Sequence, residues 1–171
     1  ISMQPRSVRL ITARTCTTSS SSVTCTSSTA CSAGQTSSDG CGRNLLYAGV
    51  GDTMKMGGRE VYRRAVRIIV TSAERTLERA GVGVGDLALL VPHQANQRIM
   101  DAACRRLGVP DARGMSVLER TGNTSAASIP FALAEAADAG RLAEDDLVLL
   151  VGFGAGMTGA SALVRWGGSP A

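Results

Sequence analysis

Residues 146–166 read DLVLLVGFGAGMTGASALVRW, and the second half of that stretch decides the architecture. Gly154, Gly156 and Gly159 satisfy the spacing GxGxxG directly after an apolar run. In a dinucleotide-binding unit such a loop opens a helix whose N-terminus takes the pyrophosphate. Here the following ASALVRW reads as a strand, and the sequence stops short of the acidic residue expected after such a loop. We therefore reject the dinucleotide reading. The two runs are expected to form an antiparallel hairpin whose Gly-rich link brings backbone N–H groups close to a ligand.

Upstream, GREVYRRAVRIIVTSAERTLERAG (58–81) keeps an apolar stripe through Val61, Ala65, Ile68, Ile69, Ser72 and Leu77, with Arg and Glu on the other faces. This predicts a helix stopped by Gly81. DLALLV (86–91) is a short buried strand ended by Pro92. ANQRIMDAACRRLG (95–108) is a second helix, and GMSVLER (114–120) reads as a strand. TSAASIPFALAEAADAG (124–140) is an Ala-rich helix. Continuous apolar strands alternating with helices imply an α/β fold, a mixed sheet with helices on both faces.

The 171 residues suit one domain, with 44% hydrophobic residues but only 3% aromatics, so Leu, Val, Ile, Ala and Met must fill the core. Formal charge is +4, and Lys55 is the only lysine. That mild excess suits an acidic or phosphorylated partner. No basic block or aromatic RNA motif points to nucleic acid. No run reaches membrane-spanning length, and no signal-peptide core is visible, so no membrane role and a soluble, cytoplasmic protein are expected. The five cysteines are odd in number, form no CxxC pair and are joined by one histidine, so neither a disulfide framework nor a metal site is expected.

Residues 1–38 are Ser/Thr-rich, nearly free of acids and without sustained period. We expect an irregular or disordered leader there, since so little apolar area cannot offset ordering entropy. An upstream frame error would give the same composition. The folded domain is expected over 39–171.

His93, the sole histidine, follows the strand ended by Pro92 and precedes the second helix. Strand ends facing helix N-termini are where open α/β sheets place chemistry. The helix dipole disfavours imidazolium there, and a neutral ring can donate to a developing oxyanion. Asn123 occupies the equivalent spot in the next strand–helix unit. Alone, His93 reads rather as a structural histidine and Asn123 as a turn and helix-capping residue; together they are two neutral donors at one sheet edge. Arg98 and Arg105 are seven residues apart and share a helix face, with Arg106 beside them. That face is either a solvated basic surface or a dock for an acidic partner. TACSAG around Cys31 faintly suggests a nucleophilic cysteine, but no apolar helix follows to activate it. Cys104 reads as a small buried residue.

Five stretches, MGGREVYRRAV, VPHQANQRI, RTGNTSAASIPFAL, DLVLLVGFGAGMTG and ALVRW, together resemble the C-terminal half of the beta-ketoacyl-[acyl carrier protein] synthase III family. The pair HQANQRI and GNTSAAS, in that order and separation, is the specific part. The resemblance implies one half of the duplicated, five-layer thiolase-like fold. It implies decarboxylative condensation of an acyl-CoA, typically acetyl-CoA, with malonyl-acyl carrier protein to initiate fatty acid synthesis, without a further cofactor. On it, His93 and Asn123 are the catalytic pair, hydrogen-bonding the malonyl thioester oxygen. Asn96 contacts the pantetheine arm, and Arg98 lies in the acyl carrier protein docking area, which Arg105 would extend. Phe153, Gly154 and Ala155 form the loop beside the second oxyanion site. The family is homodimeric.

The family's nucleophilic cysteine lies in the N-terminal half, well over a hundred residues before the histidine. Cys31 is too near His93 and in the wrong context, so the chain alone is expected to be inactive. The alternatives are a non-catalytic remnant binding coenzyme A or acyl carrier protein, and a related acyltransferase of secondary metabolism or one resembling hydroxymethylglutaryl-CoA synthase.

Overall fold

The computed structural model describes residues 31–38, 40–42, 44–51 and 53–167. Its strands are β1 (Cys31–Ser38), β2 (Leu46–Tyr47), β3 (Lys55–Met56), β4 (Leu87–Pro92), β5 (Leu147–Gly154) and β6 (Thr158–Arg165). Its α-helices are α1 (Gly58–Ala80), α2 (Gln97–Leu107), α3 (Leu118–Thr121) and α4 (Ser128–Asp138). The main sheet has the order β1-β6-β5-β4, and β2 and β3 form a separate small ribbon.

β4 and β5 run parallel, from Leu87 opposite Leu147 to Pro92 opposite Val151. β5 and β6 are the expected antiparallel hairpin, pairing Leu147 with Arg165 and Gly154 with Thr158. The strand after the Gly-rich link excludes the dinucleotide loop. On one sheet face, Leu149 and Val151 pack with Ala65, Ile69 and Ala73 of α1 and Ala103 and Leu107 of α2. On the other, Val148 and Leu150 pack with Ala132 and Ala136 of α4. Burial on both faces is why β5 reads as an unbroken apolar run. Helices α1 and α2 stop where Gly81 and Gly108 adopt the left-handed conformation, at φ 67° and 72°.

The third glycine of the GxGxxG spacing serves packing rather than phosphate binding. A Cβ on Gly159 would lie 2.2 Å from Cγ2 of Ile68, so α1 sits against β6 only because that carbon is absent. A buried polar chain crosses the same contact. Thr76 Oγ1 is 2.6 Å from Ser161 Oγ, which donates to Ser72 O at 2.9 Å. Since the Ser161 proton is committed, Thr76 is the donor.

Two expectations are corrected. Cys31–Ser38, assigned above to an irregular leader, is a strand, and it pairs antiparallel with β6 from Cys31 opposite Val164 to Ser38 opposite Thr158. An argument from composition omits the ladder bonds that an existing sheet edge offers. Residues 1–30 lie outside the described residues, as does the remainder of that expectation. GMSVLER is not a strand: Gly114 makes one parallel bridge with Leu90, and helix α3 begins at Leu118. Its apolar residues Met115 and Val117 pack beneath α4 without extending the sheet.

Candidate active site

The end of β4 carries His93. Its N–H continues the parallel ladder by donating to Val151 O at 2.8 Å. The next residue, Gln94, is fully buried. Its side-chain NH2 donates to Pro92 O at 2.7 Å and Met115 O at 3.2 Å, and its oxygen accepts from Val117 N–H at 2.9 Å. This amide ties the β4 end to the segment leading into α3, the segment that delivers Asn123. Asn96 caps α2, accepting from Arg98 N–H at 3.0 Å.

The His93 imidazole is half-buried. Its Nδ1 lies 2.6 Å from the hydroxyl of Ser128, the first residue of α4. Its ring meets Phe153 of β5 edge to face, with centroids 5.5 Å apart. Burial holds its pKa below the ordinary 6.5, because desolvation penalises the imidazolium. The ring is therefore neutral at physiological pH. Asn123 follows α3, and its side-chain oxygen accepts from Ser125 N–H at 2.9 Å. Ser125 holds the left-handed conformation, φ 53°, unusual for a residue with a side chain. With that oxygen engaged, the Asn123 NH2 remains a donor.

One open cavity of about 900 Å³ is lined by His93, Asn123, Asn96, Phe153, Gly154 and Ala155. Arg98 lines it too, and Leu46, Tyr47, Met54 and Met56 of the β2–β3 ribbon give it an apolar wall. So residues from three chain segments, the first and last 62 positions apart in sequence, line one cavity beside the ends of β4 and β5. Arg105 lies elsewhere. With Arg63 and Arg67 of α1 and Arg106 it lines a second groove, of about 600 Å³, between α1 and α2. Tyr62 lines both, so the basic groove adjoins the cavity.

The sequence reading did not find Gln94, Ser128 or the α1 arginines. Arg63 and Arg67 stood out only as the polar side of a helix. Ser128 has no local signal, since its partner lies 35 residues away. Of the cysteines whose side chains are described, Cys41 is exposed and Cys104 is buried on α2; neither lines the cavity. Burial, with Asp101 and Asp111 nearby, pushes the Cys104 thiol pKa up, which keeps it unreactive. Among the described residues no cluster of three or more His, Cys, Asp or Glu is arranged to hold a metal. No helix among them is long and apolar enough to cross a membrane.

A family profile described as 3-Oxoacyl-[acyl-carrier-protein (ACP)] synthase III C terminal matches residues 77–166. The chain belongs to this family. It is 51% identical over 114 residues to a beta-ketoacyl-[acyl-carrier-protein] synthase III of Desulfitobacterium hafniense, covering 67% of this chain and 34% of that protein. It is 47% identical over 130 residues to the protein of the same name from Listeria welshimeri, covering 76% and 42%. Among solved structures, the synthase III of Thermus thermophilus matches with TM-score 0.75 and 47% identity, over 80% of this chain and 46% of that one. The Aquifex aeolicus enzyme matches with TM-score 0.79 and 35% identity, over 84% and 47%. The fold is thus thiolase-like, an α/β mixed sheet with helices on both faces. The chain spans between a third and a half of the length of these relatives.

Proposed function

We propose that this chain supplies the enolate-stabilising part of a 3-oxoacyl-[acyl carrier protein] synthase III. The observation carrying this reading is that His93 and Asn123 line one cavity, each with one polar atom held by the protein. Both can then offer an N–H to a single oxygen. In the proposed reaction the malonyl thioester of acyl carrier protein loses carbon dioxide. The electrons of the broken C–C bond move into the enolate, whose oxygen takes the two hydrogen bonds. The enolate carbon attacks an acyl-cysteine thioester, typically acetyl delivered from coenzyme A, and expels the thiolate. Fixed neutral donors aimed at charge that appears only in the transition state are the most effective kind.

In this reading Asn96 contacts the pantetheine arm, and Phe153, Gly154 and Ala155 border the acyl thioester. Arg98 at the cavity and Arg105 in the adjoining groove take the acidic acyl carrier protein. The acyl-bearing cysteine is assigned to the family's N-terminal half, which this sequence does not include, and not to any of the five cysteines present. A homodimer in the cytoplasm is part of the same reading, and sedimentation and cell fractionation test it.

The test uses a hybrid in which residues 39–166 replace the matching segment of a full-length synthase III. Carbon dioxide release from malonyl-acyl carrier protein is measured beside labelled acetyl transfer to the enzyme. The parent hybrid should do both, and His93→Ala or Asn123→Ala should lose release far more than transfer. Parental release in both variants sinks the assignment. Binding of acyl carrier protein without any release in the parent supports a non-catalytic binding role instead.

A further inference from the structure

We propose that Ser128 is a positioning residue that holds His93 in the tautomer carrying its proton on Nε2. Ser128 is fully buried at the start of α4. Its hydroxyl has two neighbours: His93 Nδ1 at 2.6 Å and the backbone N–H of Gln94 at 3.2 Å. The Gln94 N–H can only donate, so Ser128 Oγ accepts there. The Ser128 proton then needs an acceptor of its own. Among the described residues the only further partner of that hydroxyl is His93 Nδ1. If Nδ1 carried a proton as well, Oγ would accept twice and its own proton would be buried without a partner, a costly arrangement. The consistent assignment runs from Gln94 N–H to Ser128 Oγ and from Ser128 O–H to Nδ1. Nδ1 offers a lone pair, and the proton of the neutral ring sits on Nε2, the nitrogen left for the cavity.

The backbone thereby sets a side-chain proton. Gln94 N–H, the next amide after His93, orients a hydroxyl from a helix 34 residues away, and that hydroxyl sets the imidazole. The first turn of α4 adds its positive dipole end, which further disfavours imidazolium at this spot. The catalytic meaning rests on the proposed function, because an enolate donor must present N–H and not a lone pair. The tautomer itself needs no substrate to observe.

Because His93 is the only histidine, the full chain labelled with 15N-histidine gives a single pair of ring nitrogens. A long-range 1H–15N correlation spectrum above the His93 pKa shows which nitrogen bears the proton. The parent should show a proton-bearing Nε2 and an unprotonated Nδ1. Ser128→Ala should lose this selection and give a mixed or Nδ1-protonated ring. Ser128→Thr, which keeps the hydroxyl, should keep the parental pattern. Backbone amide spectra establish that each variant is folded. A parental ring protonated on Nδ1 overturns the proposal, and so does a Ser128→Ala pattern equal to the parent's. Should Ser128→Ala not fold, the parent and Ser128→Thr decide, and Nδ1 protonation in either overturns it. None of these outcomes depends on decarboxylation, so failure here and failure of the functional reading are read separately.

Discussion

The ring of Phe153 meets the His93 imidazole edge to face, with planes at 67° and centroids 5.5 Å apart. Phe153 therefore takes part in the burial that lowers the His93 pKa. An NMR titration of the single histidine should place its pKa below 6.5, and Phe153→Ala should move it back toward 6.5. The unfolded chain binds the proton more readily than the folded one. His93 thus contributes stability that is fully present above 6.5 and is lost as pH falls through its lowered folded value. A parental pKa at or above 6.5 contradicts this account.

His93 and Asn123 line the same cavity, and in the proposed reaction they serve one oxygen. In the hybrid enzyme each alanine substitution should slow carbon dioxide release by about a hundred- to a thousand-fold. The double variant should lose less than the product of the two single losses, since the donors act on one atom. Strict multiplicativity would place them on different groups.

The basic groove between α1 and α2 offers a second, independent check. Arg105 is exposed there beside Arg63, Arg67 and Arg106. Arg105→Glu should raise the KM for malonyl-acyl carrier protein, by about fivefold or more at low salt, with less effect at high salt. The KM for malonyl-coenzyme A should move less. Equal shifts for both substrates would mean that the groove does not read the carrier protein.

Gly159 is a packing residue, since a Cβ there would meet Ile68 Cγ2 at 2.2 Å. Gly159→Ala should lower unfolding free energy by about 1–3 kcal/mol, the usual effect of overpacking. Combining it with Ile68→Ala should cost less than the sum of the two changes, because the second makes room for the first. Additive losses in denaturant titrations would show that the α1–β6 contact relaxes in some other way.

Much of the fold was legible because local chemistry and tertiary structure agree. The stripe from Val61 to Leu77 is helical by period and buried except for the half-buried Ile68, and the run Leu147–Val151 is apolar because both sheet faces are covered. Agreement failed where a segment's conformation depends on a neighbour. Cys31–Ser38 has the composition of a leader, yet β6 offers it a ladder. Met115 and Val117 have the pattern of a strand, yet Gln94 takes the Val117 N–H that a neighbouring strand would have bonded.

The site divides in the same way. Residue types and spacing, taken together, pointed to His93 and Asn123 as two neutral donors at strand ends and rejected the dinucleotide loop; His93 does stand at the end of β4, but Asn123 follows helix α3 and not a strand. Types and spacing could not place both on one cavity with Phe153 and Ala155, nor separate Arg98 from Arg105 into adjoining recesses. They could not supply the Ser128 hydroxyl at Nδ1 either. A sequence encodes periodicity and side-chain chemistry along the chain. Which nitrogen of an imidazole keeps its proton is set by atoms within hydrogen-bond reach, and those come together only when β4, β5 and α4 pack.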